Sequence, residues 1–257
     1  AVTEHGRMTP YAGLVYDIDD HWSAYASYAD IFRVQSDLRT ADGGSLPPVV
    51  GSNYEAGVKS EWLDGRLNTS FALFRITERN RAQSDPNYPE VGDCCYQASG
   101  QVRSQGFEAE VSGRLAPGWE VAGGYTFNTT RYLKDAENGG APFRTFTPKH
   151  IFQLWTTYQL PSEWNRWSVG GGVNVKSGVY TESAVQGPVS GSSVRVSQGG
   201  YAIWNARIGY RVSDHVSLGL NVNNLFDKVY YQRLGNADMG NAYGEPRSVM
   251  LNMRVKY

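Results

Sequence analysis

Hydrophobic and polar residues alternate with a period of two along most of the chain. In 107–114, phenylalanine, alanine and valine alternate with glutamate, serine and arginine. The same pattern recurs at 216–226 and again at 248–257. Successive side chains of a β-strand point to opposite faces, so this period predicts strands with one apolar and one polar face. Helical spacing fits none of these stretches.

The pattern predicts about eleven antiparallel strands. Many of them reach the length of about ten residues that is typical of strands crossing a membrane. They cover the ranges 10–17, 21–31, 52–62, 66–79, 102–114, 118–131, 149–160, 166–178, 199–212, 216–227 and 245–257.

Short and long connections alternate between these strands. The short ones are rich in turn-forming residues and lie at 17–20, 63–65, 115–118, 161–164 and 213–215. The long ones are polar and lie at 32–51, 80–101, 132–148, 179–198 and 228–244. Outer-membrane barrels have short periplasmic turns and long extracellular loops, whereas long unstructured loops are uncommon in compact domains. The sorting predicts an all-β, antiparallel transmembrane β-barrel with a periplasmic C-terminus and extracellular long loops.

Charged residues fix which face of each strand meets the outer-membrane lipid. Slipping 102–114 by one residue would turn Glu108, Glu110 and Arg114 outward. A basic residue facing lipid at the membrane midplane costs about 2–4 kcal/mol. The polar face is therefore expected to line the lumen.

Composition narrows the class of partner. The 257 residues carry 24 Lys and Arg against 25 Asp and Glu, which offers no basic surface to a nucleic-acid backbone. No apolar run approaches the roughly 18 residues of a membrane helix, and no signal peptide is visible. We treat 1–257 as one domain, either mature or a piece of something longer.

The odd strand count suggests that the barrel is incomplete. Single-chain bacterial barrels have even strand numbers, and an unpaired strand edge is not tolerated in lipid. Eleven is half of 22, the strand number of plugged outer-membrane transporters. We expect 1–257 to be the C-terminal half of a 22-stranded barrel.

Specific motifs resemble a known family. The segment 223–231, Asn-Asn-Leu-Phe-Asp-Lys-Val-Tyr-Tyr, precedes Gly-Glu-Pro-Arg at 244–247 and a strand ending in Tyr257. This arrangement resembles the C-terminal signature of TonB-dependent outer-membrane receptors. Further matching segments lie at 10–14, 25–32, 54–59, 64–68, 104–108 and 147–150. Together they resemble siderophore receptors, those for ferric hydroxamates such as coprogen, rhodotorulic acid and alcaligin, and for pyoverdines.

The resemblance implies that the protein takes up ferric siderophores, with energy supplied through TonB. It implies no cofactor besides the ferric siderophore, which is the ligand. Family members also carry an N-terminal plug domain and a TonB box, and neither is present in 1–257. Asn224 and Asp227 of the signature are expected to bond neighbouring backbone where a long loop leaves its strand.

Two other functions remain as alternatives. A passive porin-like channel is disfavoured by the family signature. A barrel enzyme or adhesin has no catalytic set to support it, because no histidine has a metal- or triad-like partner nearby. The acidic cluster Asp17, Asp19, Asp20 and His21 falls on a short turn, where aspartate is common for backbone reasons. We therefore predict no enzyme activity and no metal site, and we expect Gly170–Gly172 to give close packing or a bend.

The two cysteines of the chain, Cys94 and Cys95, are adjacent. A disulfide between them must be vicinal, which strains it because adjacent Cα atoms are only about 3.8 Å apart. The cell surface is oxidising. We predict a vicinal disulfide that stiffens loop 80–101, with two free thiols as the alternative.

A ferric siderophore is bulky and partly apolar, so its receptor needs aromatic walls with a few polar anchors. The predicted contacts are five tyrosines in or beside the long loops: Tyr88, Tyr96, Tyr132, Tyr180 and Tyr201. Nearby arginines that would attract an anionic complex are Arg131, Arg144, Arg195 and Arg233. The alternative is that these tyrosines belong to the outer aromatic girdle of the barrel.

Overall fold

The computed structural model describes residues 6, 8–88, 92–136, 138–184, 193–235 and 239–256. Within these ranges the regular secondary structure is strand, apart from one turn of 3-10 helix at Ser162–Trp164. None of the helical structure in this part of the chain is long and apolar enough to span a membrane. The strands are β1 Tyr11–Asp17, β2 Trp22–Arg33, β3 Val49–Trp62, β4 Leu67–Ser84, β5 Tyr96–Ala116, β6 Trp119–Lys134, β7 His150–Gln159, β8 Trp167–Lys176, β9 Val179–Ala184, β10 Ser193–Gln198, β11 Tyr201–Arg211, β12 Val216–Asn223, β13 Tyr231–Arg233, β14 Ala242–Tyr243 and β15 Ser248–Val255.

Eleven of these strands form one sheet in chain order, β1 to β8 followed by β11, β12 and β15. The other four form two hairpins, β9–β10 and β13–β14, inside the fourth and fifth long connections. The sequence predicted the eleven strands of the sheet and their alternating short and long connections, and both are confirmed. It did not predict the two hairpins.

Strand ends differ from the prediction where both faces of the sheet are polar. β4 continues to Ser84 instead of 79, and β5 begins at Tyr96 instead of 102. Backbone ladders continue through polar sequence, but the alternation that reveals them disappears there. The predicted strand 216–227 ends early, at Asn223, because Asn224 and Asp227 adopt left-handed backbone conformations with φ of 49° and 51°.

Strand register separates an apolar face from a polar face. On β8, β11, β12 and β15, one row of paired residues consists of Val169, Ile208, Leu220 and Leu251. All four side chains are exposed. Exposed apolar side chains on one face and polar ones on the other match the alternation of a membrane strand.

Close contacts explain the glycine run on β8. The indole ring of Trp155, on the neighbouring β7, lies across Gly172 and Gly170. A Cβ atom added to Gly172 would lie 2.5 Å from Cε3 of Trp155, and one added to Gly170 would lie 3.3 Å from Cζ2. The run therefore serves close packing, as predicted.

Contacts divide the chain into two compact units. The first unit comprises 1–59, 71–107 and 128–144, and the second comprises 60–70, 108–127 and 145–257. The buried apolar residues of the first unit are Leu46, Val49, Cys95 and Val102, and those of the second are Val173 and Ile203.

Candidate ligand-binding site

A cavity of about 290 Å³ lies in the first unit, beside the end of β4, the start of β5 and the end of β6. Two of the predicted contact residues, Tyr96 and Tyr132, line it together with Arg81, Gln83 and Phe143. We call it the loop cavity. Its lining combines aromatic walls with charged and amide anchors, which is the composition expected of a small-molecule site.

Aromatic and cationic groups meet at Phe143. The guanidinium of Arg81 lies 4.8 Å from the centre of the Phe143 ring, and that of Arg144 lies 5.3 Å from it. Tyr132 packs edge-on against the same ring, with the ring centres 5.1 Å apart. Both arginines are thus held beside an aromatic surface, where cation–π attraction orients them. Arg81 also pairs with a carboxylate oxygen of Glu78 at 2.5 Å, so part of its charge is already offset. Ring surface and guanidinium groups still lie together here, which suits a partly aromatic ligand with anionic oxygens.

The side-chain amide of Gln83 connects three segments at the rim of the loop cavity. Nε2 of Gln83 donates to Oδ2 of Asp135 at 2.7 Å and to the carbonyl oxygen of Lys134 at 3.2 Å. Oε1 of Gln83 accepts from the hydroxyl of Ser99 at 2.9 Å. Gln83 therefore links the end of β4 to β5 and to the loop that follows β6.

The cysteine pair lies directly before Tyr96. Cys94 and Cys95 are joined by a disulfide, and Cys95 is buried. The backbone N–H of Arg39 donates to the carbonyl oxygen of Asp93 at 2.8 Å, and that of Tyr96 donates to the carbonyl oxygen of Arg39 at 2.8 Å. Loop 34–48 therefore bonds to the backbone on both sides of the cysteine pair. These bonds fix the segment from which Tyr96 enters the loop cavity.

The loop cavity does not include Tyr88. This residue is 53% exposed, and its N–H donates to the carbonyl oxygen of Asp85 at 3.1 Å. Of the three predicted tyrosines in the first unit, the structure brings Tyr96 and Tyr132 to one cavity and leaves Tyr88 outside it.

In the second unit, Tyr180 and Tyr201 make separate contacts. The guanidinium of Arg195 lies 4.0 Å from the centre of the Tyr180 ring, and its Nε donates to Oε1 of Glu182 at 2.8 Å. The Tyr201 ring lies 4.7 Å from that of Tyr230. Because Glu182 already engages Arg195, this arginine is less available to an anionic ligand than Arg144 is.

The remaining predicted arginines are Arg131 and Arg233. Arg131 forms an isolated backbone bridge with Pro142, beside the loop cavity, and Arg233 ends the short strand β13.

Sequence reasoning missed Arg81, Gln83 and Phe143. The first two were assigned to a loop, and only the continuation of β4 to Ser84 places them at a cavity. It also missed the stacked pair Tyr231 and Tyr243, whose ring centres lie 4.6 Å apart with hydroxyls 3.2 Å apart. The hydrogen bond between the two hydroxyl groups raises the pKa of Tyr231 above its usual value.

The acidic turn behaves as predicted. Oδ1 of Asp19 accepts from the backbone N–H groups of His21 and Trp22, each at 2.8 Å. This bonding confirms the turn interpretation. In the described ranges, no group of three or more His, Cys, Asp or Glu side chains could hold a metal ion.

Comparison with known families and structures decides the family of the chain. Residues 2–225 match the family described as "TonB dependent receptor-like, beta-barrel". The chain belongs to this family. The predicted resemblance and the predicted all-β receptor fold are thereby confirmed, and family membership supports an outer-membrane location.

Two curated relatives of this TonB-dependent receptor chain are pyoverdine receptors. The ferric-pyoverdine M114 receptor PbuA of Pseudomonas sp. (strain M114) is 43% identical over 99% of the chain and 30% of its own length. The ferripyoverdine receptor of Pseudomonas aeruginosa is 39% identical over 98% of the chain and 31% of its own length. The chain therefore spans about a third of these relatives, which are receptors and not enzymes.

Two solved receptor structures also superpose on this chain. The ferripyoverdine receptor of the Pseudomonas aeruginosa outer membrane, crystallised with ferripyoverdine, superposes with a TM-score of 0.88 at 38% identity, over 99% of this chain and 33% of that one. The alcaligin outer-membrane receptor FauA of Bordetella pertussis superposes with a TM-score of 0.68 at 36% identity, over 97% of this chain and 36% of that one.

Proposed function

We propose that this chain is part of an outer-membrane receptor that imports a ferric siderophore with energy supplied through TonB. The observation that carries the proposal is the loop cavity, where Tyr96, Tyr132 and Phe143 meet the guanidinium of Arg81. The names of the relatives support the same ligand class, because they are receptors for ferric pyoverdine, catecholates and alcaligin.

The loop cavity supplies the recognition chemistry that such a ligand needs. A ferric siderophore complex presents bulky, partly apolar groups and anionic oxygens. Tyr132 and Phe143 offer ring surface. Arg81, which also pairs with Glu78, and Arg144, which follows Phe143 outside the cavity lining, place guanidinium groups against the Phe143 ring. Tyr96 and Tyr132 contact the ligand in this proposal, whereas Tyr88, Tyr180 and Tyr201 are predicted contacts of lower rank.

We further propose an orientation in the outer membrane. In this orientation the apolar row of Val169, Ile208, Leu220 and Leu251 faces lipid. The opposite orientation would expose the charged side chains of the polar face to lipid, which is costly. The long connections then lie outside the cell and the C-terminus lies in the periplasm. Residues 1–257 supply the C-terminal half of a 22-stranded barrel, and the rest of the receptor supplies the plug and the contact with TonB.

Uptake of radiolabelled ferric siderophore by whole cells tests this function. The full receptor is expressed in a strain that lacks its own siderophore receptors, with and without TonB. We expect accumulation of iron that depends on both the receptor and TonB, and at least a tenfold loss of affinity in Tyr132→Ala and Arg81→Gln. Tyr158→Ala, outside the loop cavity and not among the predicted contacts, is the matched control and should retain affinity.

A passive channel gives a different result in the same assay. Uptake that continues at the same rate without TonB, and that does not saturate with ligand, would contradict the proposal. Unchanged affinity in both cavity variants would move the ligand site to another part of the receptor.

A further inference from the structure

Four arginines of the first unit lie on three neighbouring strands of the sheet, β4, β5 and β6. Arg75 and Arg79 belong to β4, Arg103 to β5 and Arg131 to β6. We call them the arginine row. Three of them are exposed, and Arg103 is half-buried. Guanidinium groups remain charged at all physiological pH values, so the row carries four permanent positive charges.

The arginines of β5 and β6 project from the face opposite a polar contact. The hydroxyl of Ser104 donates to Oδ1 of Asn128 at 2.7 Å, which places these two side chains on one face of the sheet. Arg103 is adjacent to Ser104 in the chain, and Arg131 is three residues from Asn128. Successive side chains of a strand alternate between faces, so both arginines lie on the other face.

The arginines of β4 share that face with exposed apolar side chains. Phe71 and Leu73 are 41% and 55% exposed, and both lie at even spacing from the two arginines of β4. The centre of the Phe71 ring lies 5.6 Å from that of Phe107 on β5, which is at even spacing from Arg103. The arginine row therefore belongs to the apolar face, which we propose to contact lipid.

The register of the strands brings the arginines close together. Oγ1 of Thr129 donates to the carbonyl oxygen of Gln105 at 3.2 Å. Arg131 and Arg103 each lie two residues further toward the long loops, so they are neighbours. Arg75 and Arg103 each lie four residues beyond the phenylalanine of their own strand, in the same direction. Adjacent strands are about 4.8 Å apart, so the row spans about 10 Å across the three strands.

Strand length places the arginine row at the outer edge of the membrane in the proposed orientation. Arg79 lies 12 residues from the start of β4 (79 − 67), and Arg131 lies 12 from the start of β6 (131 − 119). Arg103 lies 13 residues from the end of β5 (116 − 103). A strand crosses the hydrocarbon core in about 9–11 residues, so these three lie just beyond it on the side of the long loops. Arg75 lies lower, and its long side chain can extend to the same level.

The charges of the arginine row are not offset within the described part of the chain. Among the described residues, no carboxylate oxygen lies within 4.0 Å of any of its four guanidinium groups. Other arginines of the first unit do have partners. Arg33 lies 3.9 Å from a carboxylate oxygen of Glu78, and Arg39 donates to the hydroxyl of Ser45 at 2.7 Å. A row of charges at the edge of a lipid-facing surface therefore favours an anion from outside the chain.

We propose that the arginine row binds the phosphate groups of a phosphorylated lipid in the outer leaflet of the outer membrane. A guanidinium matches a phosphate with two parallel N–H···O bonds. Phe71, Leu73 and Phe107, directly below the row, supply apolar surface for the acyl chains of the same lipid. This combination selects a lipid over free phosphate, which has no apolar part. The inference rests on the proposed orientation in the outer membrane and does not involve the siderophore.

The experiment uses lipid A with two phosphate groups as the probe. The full receptor is purified in detergent and titrated with this lipid, and bound lipid is counted by native mass spectrometry. We expect saturable binding that weakens at least tenfold in Arg75→Gln/Arg103→Gln. Arg33→Gln/Arg39→Gln is the matched control, because it removes two arginines that have partners within the chain. It should bind the lipid as the unchanged receptor does.

Two further ligands test which part of the lipid is recognised. Lipid A from which both phosphates have been removed should bind at least tenfold more weakly than the phosphorylated form. Inorganic phosphate should bind far more weakly than the lipid, because it cannot use the apolar surface. Equal binding of the two lipids, or binding of inorganic phosphate as tight as that of the lipid, would overturn the proposal.

Unchanged lipid binding in a folded double variant would also overturn it. Folding is checked by the shift in electrophoretic mobility on heating. If the double variant does not fold, Arg103→Gln carries the same comparison, with Arg33→Gln as its control.

Whole-cell uptake of ferric siderophore, measured in parallel, keeps this proposal separate from the proposed function. Neither Arg75 nor Arg103 lines the loop cavity, so Arg75→Gln/Arg103→Gln should keep its affinity for the siderophore. Lack of uptake by the unchanged receptor would contradict the proposed function, whereas the lipid titration alone decides the role of the arginine row.

Discussion

The side-chain amide of Gln83 donates a 2.7 Å hydrogen bond to the carboxylate of Asp135, from the end of β4 to the loop that follows β6. The same amide also bonds to Lys134 and Ser99. A flexible rim would have to be ordered when a ligand binds, at a cost of about 0.5–1.5 kcal/mol for each immobilised side chain. Gln83 therefore pre-organises the loop cavity.

Loss of this amide should weaken ligand binding. We expect Gln83→Ala in the full receptor to reduce affinity for the ferric siderophore about three- to tenfold, because the rim of the loop cavity loses three hydrogen bonds. Fluorescence quenching of the purified receptor by the ferric siderophore measures the change. Ser99→Ala removes only one of the bonds and should have a smaller effect. Equal affinities in all three proteins would show that the rim does not need this amide.

The sequence was sufficient to predict the sheet because alternation is a local signal. Each strand of the sheet carries the signal within itself, as 248–257 does with its exposed Leu251 and Met253. The signal fades where both faces are polar, which is why the extension of β4 to Ser84 was missed. The hairpins β9–β10 and β13–β14 were missed because their strands have only six, six, three and two residues, too few for alternation to stand out.

The candidate site was predicted only in part. Tyr96 and Tyr132 were recognised from their residue type and their position beside long loops. Arg81 and Phe143 were not, because they are 62 positions apart in the sequence (143 − 81) and meet only through the fold. A single sequence carries no local signal for such a contact. The loop cavity therefore required the structure.

The indole ring of Trp155 packs over Gly172 of β8. A methyl group added at Gly172 should therefore destabilise the receptor more than one added at Gly171. Gly172→Ala places a Cβ atom 2.5 Å from the indole ring, so we expect a loss of about 1–3 kcal/mol of unfolding free energy. Gly171→Ala is the matched control, because its nearest neighbour would lie 3.6 Å away, at ordinary contact distance. Urea unfolding of the receptor in lipid vesicles measures both variants.

A double variant isolates this contact. Trp155→Ala removes the ring, but the carbonyl oxygen of Leu154 would still lie 2.5 Å from the added Cβ atom. Gly172→Ala should therefore cost less in that background, with the backbone part of the cost retained. An equal cost in both backgrounds would show that the loss arises from the backbone and not from the indole contact.

The disulfide between Cys94 and Cys95 predicts a specific alkylation result. Iodoacetamide should add no mass to the denatured, unreduced protein and two groups after reduction. Addition of two groups without reductant would show free thiols.

Removal of the disulfide should loosen the backbone that it joins. In Cys94→Ser/Cys95→Ser we expect faster hydrogen exchange at the amides of Arg39 and Tyr96, whose bonds flank the cysteine pair. The amide of Ile208, in the second unit, serves as the internal reference. Unchanged exchange at Arg39 and Tyr96 would show that loop 34–48 holds this segment without the disulfide.

Asn224 closes the junction between β12 and its long loop through one buried amide. Its Oδ1 accepts from the N–H of Lys228 at 2.8 Å, and its Nδ2 donates to the carbonyl oxygens of Lys228 and Glu245 at 2.9 and 3.1 Å. The residue is only 3% exposed, so water cannot replace these partners. Asn224→Ala would leave buried backbone groups unsatisfied and put alanine at a φ of 49°.

We expect Asn224→Ala to lower the unfolding free energy of the receptor by about 2.5–6.5 kcal/mol, since each of the three bonds contributes about 0.5–1.5 kcal/mol and the left-handed backbone adds about 1–2 kcal/mol. Asn223→Ala is the matched control, because its amide makes a single long bond of 3.4 Å to Ser248. Urea unfolding in lipid vesicles compares the two variants with the unchanged receptor. A loss no larger in Asn224→Ala than in Asn223→Ala would mean that the junction is held by the strands and not by this amide.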